Sequence, residues 1–238
     1  MQYENSVSSQ SRSKDVDAGL KKYMSDIYAK MAGGVLVTAI TAWIVGSSEL
    51  LLNLFLGGPQ AYIVMFAPLA IVMFGFRPDR MASGKLMMVF MGLAVVYGIS
   101  FASIAVAVAN NPAFGVTVAK AFFIATGMFA GVSIMGYTTK MDLTPIRTFG
   151  AMAIWGIIIA GVLNMFIFKS SGMDIALSMI SIPLFAGITA WQTQNMKEMY
   201  NPSMSAELVK RYSWSAALTL YISFIAMFMN ILNLMSQR

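Results

Sequence analysis

The sequence predicts an all-α integral membrane fold, a bundle of seven transmembrane helices with the last helix central, and three observations lead there. Apolar residues make up 58% of the 238 and charged residues 11%, less than half the roughly 25% of an ordinary soluble domain. The charges are placed so that seven long runs contain none: 31–48, 50–76, 86–119, 121–139, 148–168, 175–196 and 212–237. Lysine and arginine, finally, crowd into alternate connections.

A hydrocarbon core about 30 Å thick takes about 20 helical residues to cross. Helices are therefore expected near 30–48, 60–76, 86–109, 114–136, 149–168, 174–192 and 213–235. The runs are continuously apolar rather than alternating, which favours helices over barrel strands. Orientation follows from the basic residues. The N-terminal segment holds five (Arg12, Lys14, Lys21, Lys22, Lys30), the second-to-third connection three (Arg77, Arg80, Lys85), the fourth-to-fifth two (Lys140, Arg147) and the sixth-to-seventh three (Lys197, Lys210, Arg211). Only Lys169 and Arg238 fall on the other side. The N-terminus is thus expected in the cytoplasm and the C-terminus outside.

Residues 1–16 are polar and Ser-rich and read as a disordered tail rather than a targeting signal. One membrane domain, 17–238, follows. Leu20, Tyr23, Met24, Ile27 and Met31 then recur at helical spacing among Lys21, Lys22, Asp26 and Lys30. That is an amphipathic helix, either an interfacial lead into the first span or a docking face for a partner. Gly34, Thr38, Ala42 and Gly46 fall four apart on the first span, and Gly127 and Gly131 do so on the fourth. Such small residues let helices approach closely, within the bundle or in a dimer. Pro68 and Pro183 interrupt the second and sixth spans, each freeing a carbonyl one turn earlier. The kinks mark either shape or a conduction path. The one substantial connection expected is Asn195 to Tyr212, broken by Asn201-Pro202.

Chemistry is narrowed by what is missing. Neither cysteine nor histidine occurs, which removes thiol and imidazole catalysis, disulfides and the usual zinc or haem ligands. No paired intramembrane carboxylate supplies acid–base chemistry, so no enzyme activity, cofactor or metal is expected. The scattered positive charges do not suit nucleic acid, and a retinal pigment would need a lysine on the seventh helix. The 22 methionines read as adaptable apolar packing.

Two polar stripes remain. On the last helix Ser215, Thr219, Ser223, Ala226, Asn230 and Asn233 recur three or four apart, a single polar and small face that suits a central position. The sixth carries Ser178, Ser181, Phe185, Thr189 and Gln192. Facing each other, these stripes could be hydrogen-bonded glue or the border of a water-filled path. Lys120 is the one charge within a span. It either snorkels to the outer interface or serves a pore or partner. Asn164 is a second polar residue at membrane depth, and Arg77 at the exit of the second helix is either a positive-inside anchor or a gate residue.

The stretches Asp17-Ala-Gly-Leu-Lys-Lys-Tyr-Met, Tyr137-Thr-Thr-Lys-Met-Asp-Leu, Phe185-Ala-Gly-Ile-Thr-Ala, Lys197-Glu-Met-Tyr and Ala217-Leu-Thr-Leu-Tyr together resemble a bacterial member of the Bax inhibitor (transmembrane Bax inhibitor motif) family. The resemblance runs from Asp15 to Met235. It implies a seven-helix bundle with the last helix in the middle, in the bacterial inner membrane. It also implies calcium leak, pH sensing, suppression of cell death in eukaryotes and, in bacteria, modulation of a membrane-anchored ATP-dependent protease. The family's proton-sensing aspartate pair is replaced. Where Tyr-Asp-Thr-Gln is usual the chain has Trp191-Gln192-Thr193-Gln194, and where Leu-Tyr-Leu-Asp-Phe-Ile is usual it has Leu220-Tyr221-Ile222-Ser223-Phe224-Ile225. Arg77 falls where the family has a basic residue able to engage that pair. Two carboxylates share protons and shift one another's pKa toward neutrality, whereas an amide and a hydroxyl do not titrate there. Only neutral oxygens, from Gln192, Ser223, Asn164 and Asn230, are left for a cation. The expectation is a pH-insensitive cation leak, or else a non-conducting regulator or subunit of a membrane complex.

Overall fold

The structure, a computed structural model, describes residues 2–237, with side chains from Ala18 onward. The tail expected over 1–16 lies outside the residues whose side chains are described. The elements are α1 (Gln2–Gly46), α2 (Glu49–Leu56), α3 (Gln60–Ala70, continued by a π turn, Ile71–Gly75), α4 (Ser83–Ser100), α5 (Ala102–Asn110), α6 (Pro112–Thr138), α7 (Thr144–Leu163, continued by a π turn, Asn164–Phe168), α8 (Ser171–Met199) and α9 (Ala206–Ser236). No strand occurs among the described residues. Four helix starts carry the expected chemistry: the side chains of Ser48, Asn111, Ser170 and Ser205 accept from N–H groups two or three residues on, with Pro112 opening α6.

Six helices are long and apolar enough to cross a membrane. The count becomes seven if α2 and the α3 segment, bent by 73° at their junction, form one broken span. That pair is where the second span was expected. Gln60–Gly75 alone reaches only about 24 Å, less than the hydrocarbon thickness.

α9 packs against α1, α4, α6 and α8, and 61% of its most apolar 18 residues are buried, against 6–28% in the others. The last helix is therefore central. Tyr221 marks the middle. It is fully buried, hydrogen-bonded to Thr38 on α1 (2.6 Å), and in edge contact with Phe90 and Tyr97 of α4. The Thr38 hydroxyl also lies 3.0 Å from the Ala94 carbonyl. The small-residue stripe of α1 is spent within the bundle: a methyl at Gly34 would strike Phe90, and one at Gly46 would strike Ala105 and the Ala102 carbonyl.

Three expectations change. The amphipathic segment is neither an interfacial lead nor a free docking face. It is continuous with the first span, and Tyr23, Met24, Ile27 and Met31 are buried in the main core. The connection expected over Asn195–Tyr212 shrinks to Tyr200–Ser205, because α8 continues to Met199 and α9 starts at Ala206. The third span, expected over 86–109, keeps its place as Ser83–Asn110, but a turn at Phe101 divides it into α4 and α5.

That break has a traceable cause. Pro68 has no N–H, so the Val64 carbonyl one turn earlier loses its helical partner. Ser100 stands across from it, with its hydroxyl 3.2 Å from the Val64 carbonyl and 2.9 Å from that of Val96 on its own helix. Such serine back-bonding bends helices, and α4 ends at this residue. Ser100→Ala would strand the Val64 carbonyl away from water, a cost of about 1–3 kcal/mol. A lower melting temperature in detergent, with helix content unchanged at room temperature, is the expected result.

Candidate functional site between the last two helices

Gln192 sits on α8 and Ser223 on α9, and the antiparallel packing of the two brings them together. The Ser223 hydroxyl, on a residue 2% exposed, donates to Gln192 Oε1 at 3.1 Å. Neither group carries a charge. Gln192, Ser215 and Thr219 also line a small cleft of about 120 Å³, closed on its α1 side by Tyr23. At the far end of α9, Asn230, Asn233 and Ser236 line a second cavity of about 400 Å³. Ser223 and Asn230 are about 10 Å apart along the helix, and the stripe residue between them, Ala226, lines with Phe185 of α8 an apolar-walled cavity of about 670 Å³. The polar stripe is thus continuous in sequence but has an apolar middle in space.

Most polar groups of the two stripes are spoken for. Asn233 donates to Ser178 Oγ (2.9 Å) and Asn230 to the Ala226 carbonyl (2.7 Å). Thr219 donates to the Ala216 carbonyl (2.9 Å) and Thr189, fully buried, to that of Phe185 (2.7 Å). Ser181 is 1% exposed. The stripes are joined directly at Gln192–Ser223 and Ser178–Asn233, and a cavity opens beside each joint.

The other candidates lie apart. Asn164 is buried, but its amide is a clasp for the turn between α7 and α8. It donates to the Ser170 carbonyl (3.0 Å) and Asp174 Oδ1 (2.6 Å) and accepts from the Ser170 N–H (3.0 Å). Asp174 and Gln192 are about 27 Å apart along α8, so Asn164 cannot join Gln192 around one cation. That correction has a plain cause: membrane depth was read from sequence position, whereas the amide belongs to a turn held by Lys169 in a left-handed conformation (φ 48°). Lys120 is exposed, about two turns into α6. Arg77 is exposed too, and among the described residues its side chain has no hydrogen bond to Gln192 or Ser223.

Another arginine holds that region. Arg211 on α9 donates to the carbonyls of Pro78 (2.5 Å) and Asp79 (2.8 Å). One turn earlier Glu207 accepts from the Ser83 N–H (2.8 Å) and hydroxyl (3.0 Å), capping α4, which has no side-chain cap of its own. Gln194 clasps the α6–α7 connection, accepting from the Leu143 N–H (3.0 Å) and donating to the Met141 carbonyl (2.7 Å). In that connection the Thr144 hydroxyl and N–H hold the Asp142 carboxyl below its usual range. On α1, Lys30 pairs with Asp26, donates to Ser213 of α9 (2.8 Å) and lies over the Trp214 ring (4.7 Å). Ser213 in turn donates to Asp26. Sequence reasoning placed Asp26 and Lys30 on the polar face of an amphipathic helix, where Asp26 is exposed and Lys30 is drawn against α9; it gave Glu207 and Gln194 no role and Arg211 one in orientation alone. The i, i+4 spacing of Glu207 and Arg211 was the available signal.

A chain of this kind, an apolar helical bundle around one buried central helix with a hydrogen-bonded contact between its last two helices, is a multi-pass membrane protein. It belongs to the Bax inhibitor family: residues 20–238 match Bax1-I, described as inhibitor of apoptosis-promoting Bax1. The chain is 34% identical to an uncharacterised protein of Rickettsia prowazekii, over 99% of this chain and 98% of the other. It is 31% identical to the inner membrane protein YbhL of Escherichia coli, over 93% and 94%. A third relative, the uncharacterised YrjE of Lactococcus lactis, is 32% identical over 91% of each. The protein is a multi-pass protein of the bacterial inner membrane.

Arg211→Ala removes hydrogen bonds from a charged donor, which contribute about 1.5–3 kcal/mol. The α3–α4 connection should then open at least about tenfold more often. Limited trypsin digestion should accordingly cleave after Arg80 faster than in the wild type, Arg77 being protected by the proline that follows it, while the remaining sites keep their rates.

Proposed function

We propose that the protein is a Bax inhibitor-like cation leak whose path follows the polar face of α9 and whose closed state is held by a neutral hydrogen bond. The observation that carries this reading is the Ser223–Gln192 contact at 3.1 Å, at the position where the family resemblance puts an acid pair. A pair of carboxylates would couple closure to proton binding near neutral pH. An amide and a hydroxyl keep the same hydrogen bond throughout that range. Opening is therefore independent of pH between about 6 and 8. The cavities that Gln192, Ser215 and Thr219 line on one side and Asn230 and Asn233 on the other support a path, and the apolar section between them at Ala226 and Phe185 supports its closure. With neutral oxygens alone along that face, selectivity for calcium over other cations is weak, because carboxylates supply much of the affinity of calcium sites.

In this reading thirteen of the sixteen basic residues lie in the cytoplasm with the N-terminus, and the C-terminus lies outside. A second reading, a non-conducting regulator that binds a membrane-anchored protease or another membrane complex, is favoured by the same apolar stretch if it never opens. The protein acts in either case without catalysis or cofactor.

Flux in proteoliposomes decides. The wild type should pass calcium slowly and at the same rate at about pH 6 and 8, and the Gln192→Asp, Ser223→Asp double variant should acquire a pH-dependent rate. A sharp pH dependence in the wild type would overturn the neutral-lock reading. No flux in either protein would leave the regulator.

A further inference from the structure

α1 and α6 both pack on α8 and α9 but hardly on each other, and a furrow of about 360 Å³ runs between them. Its floor is the edge contact of Tyr28 with Phe129 (6.4 Å). Inside it lies Ser133, 6% exposed, whose hydroxyl has no hydrogen-bond partner among the described residues. The Tyr28 hydroxyl is already paired with Thr193 (3.3 Å). An orphaned hydroxyl at this depth calls for an acceptor from outside the chain, since hydrocarbon offers none.

The furrow has one basic end. Lys197 lies 4.9 Å from the ring centre of Tyr137, at the end of α6, and donates to its carbonyl (3.0 Å), with further N–H donors left over. Lys21 shares the α1 face of Met24 and Tyr28, one turn nearer that end. Lys140 follows α6 and is exposed, as is Lys21. Ser133 is about 6 Å deeper than Tyr137 along the helix axis. Each polar zone of a bilayer is about 5–8 Å deep, so phosphate at the lysines puts glycerol esters level with Ser133. One turn deeper, Phe129 and Ala130 continue the furrow's wall, an apolar bed for an acyl chain, while Gly127 and Gly131, with nothing within reach of an added methyl, lie on another face of α6.

We infer that the furrow between α1 and α6 is a binding site for one anionic phospholipid. Its phosphate meets Lys197, Lys21 and Lys140, a glycerol ester oxygen accepts from Ser133, and an acyl chain lies against Ala130 and Phe129.

Native mass spectrometry of the full-length protein, with palmitoyl-oleoyl phosphatidylglycerol or its phosphatidylcholine counterpart added, tests this. The wild type should retain phosphatidylglycerol at least about tenfold better than phosphatidylcholine. Lys197→Gln should cut retention of the anionic lipid about fivefold, and Ser133→Ala about two- to tenfold. Ala130 is exposed beside the furrow, so Ala130→Leu keeps the fold and should block retention by bulk. Three results would overturn the inference: equal retention of both lipids, retention indifferent to all three variants, or displacement by glycerol 3-phosphate, which would mean a soluble anion. A protein dimer abolished by Ala130→Leu, with no lipid retained, would assign the face to a second copy and overturn it too.

Discussion

Hydrocarbon offers no water to a stranded polar group, and that constraint governs where the side chains of α9 go. Buried on four sides by α1, α4, α6 and α8, this helix nevertheless carries serine, threonine, asparagine and tyrosine along its length. Each such residue at its core finds a partner within the bundle: Tyr221 with Thr38, Ser223 with Gln192, Asn233 with Ser178. The same rule reaches α3, where the carbonyl freed by Pro68 is met by Ser100 from the neighbouring helix. Polar residues here specify which helix faces which, while the apolar surface, as greasy as lipid, specifies little.

The helices that carry Gln192 and Ser223 also hold the connections at the basic end. Gln194 and Lys197 on α8 bind the α6–α7 segment, and Glu207 and Arg211 on α9 bind the segment between the α3 turn and α4. Asp26, Lys30 and Ser213 join α9 to α1 a turn further in. A shift of α9 against α8 therefore breaks charge-assisted hydrogen bonds as well as the Gln192–Ser223 contact. Any movement of α9 against α8 is coupled to these loops through the same two helices.

Much of the fold was legible because burial in lipid writes itself into composition. Charge-free runs located the spans, and the polar face of the last helix foretold its central place. The Gln192–Ser223 meeting was legible only through the family resemblance, since spacing along one helix says nothing about register against another. Asn164 misled for the opposite reason: its position in an apolar run suggested an amide at membrane depth able to offer an oxygen to a cation, yet it organises a turn. Lys30 misled as well: Asp26 is exposed as its place on an amphipathic helix suggests, but the lysine is drawn against the neighbouring helix by Ser213 and Trp214.

What the sequence determined by itself was the solvent, the helical class and the approximate spans, all of which follow from local runs and local charge. Tertiary structure alone decided which small-residue stripe is consumed inside the bundle and which is left open. It alone decided that Arg211 rather than Arg77 holds the nearby connection, and that the middle of the α9 stripe opens on an apolar cavity. These depend on rotation and axial offset between helices far apart in the chain, quantities that no periodicity along a single helix contains.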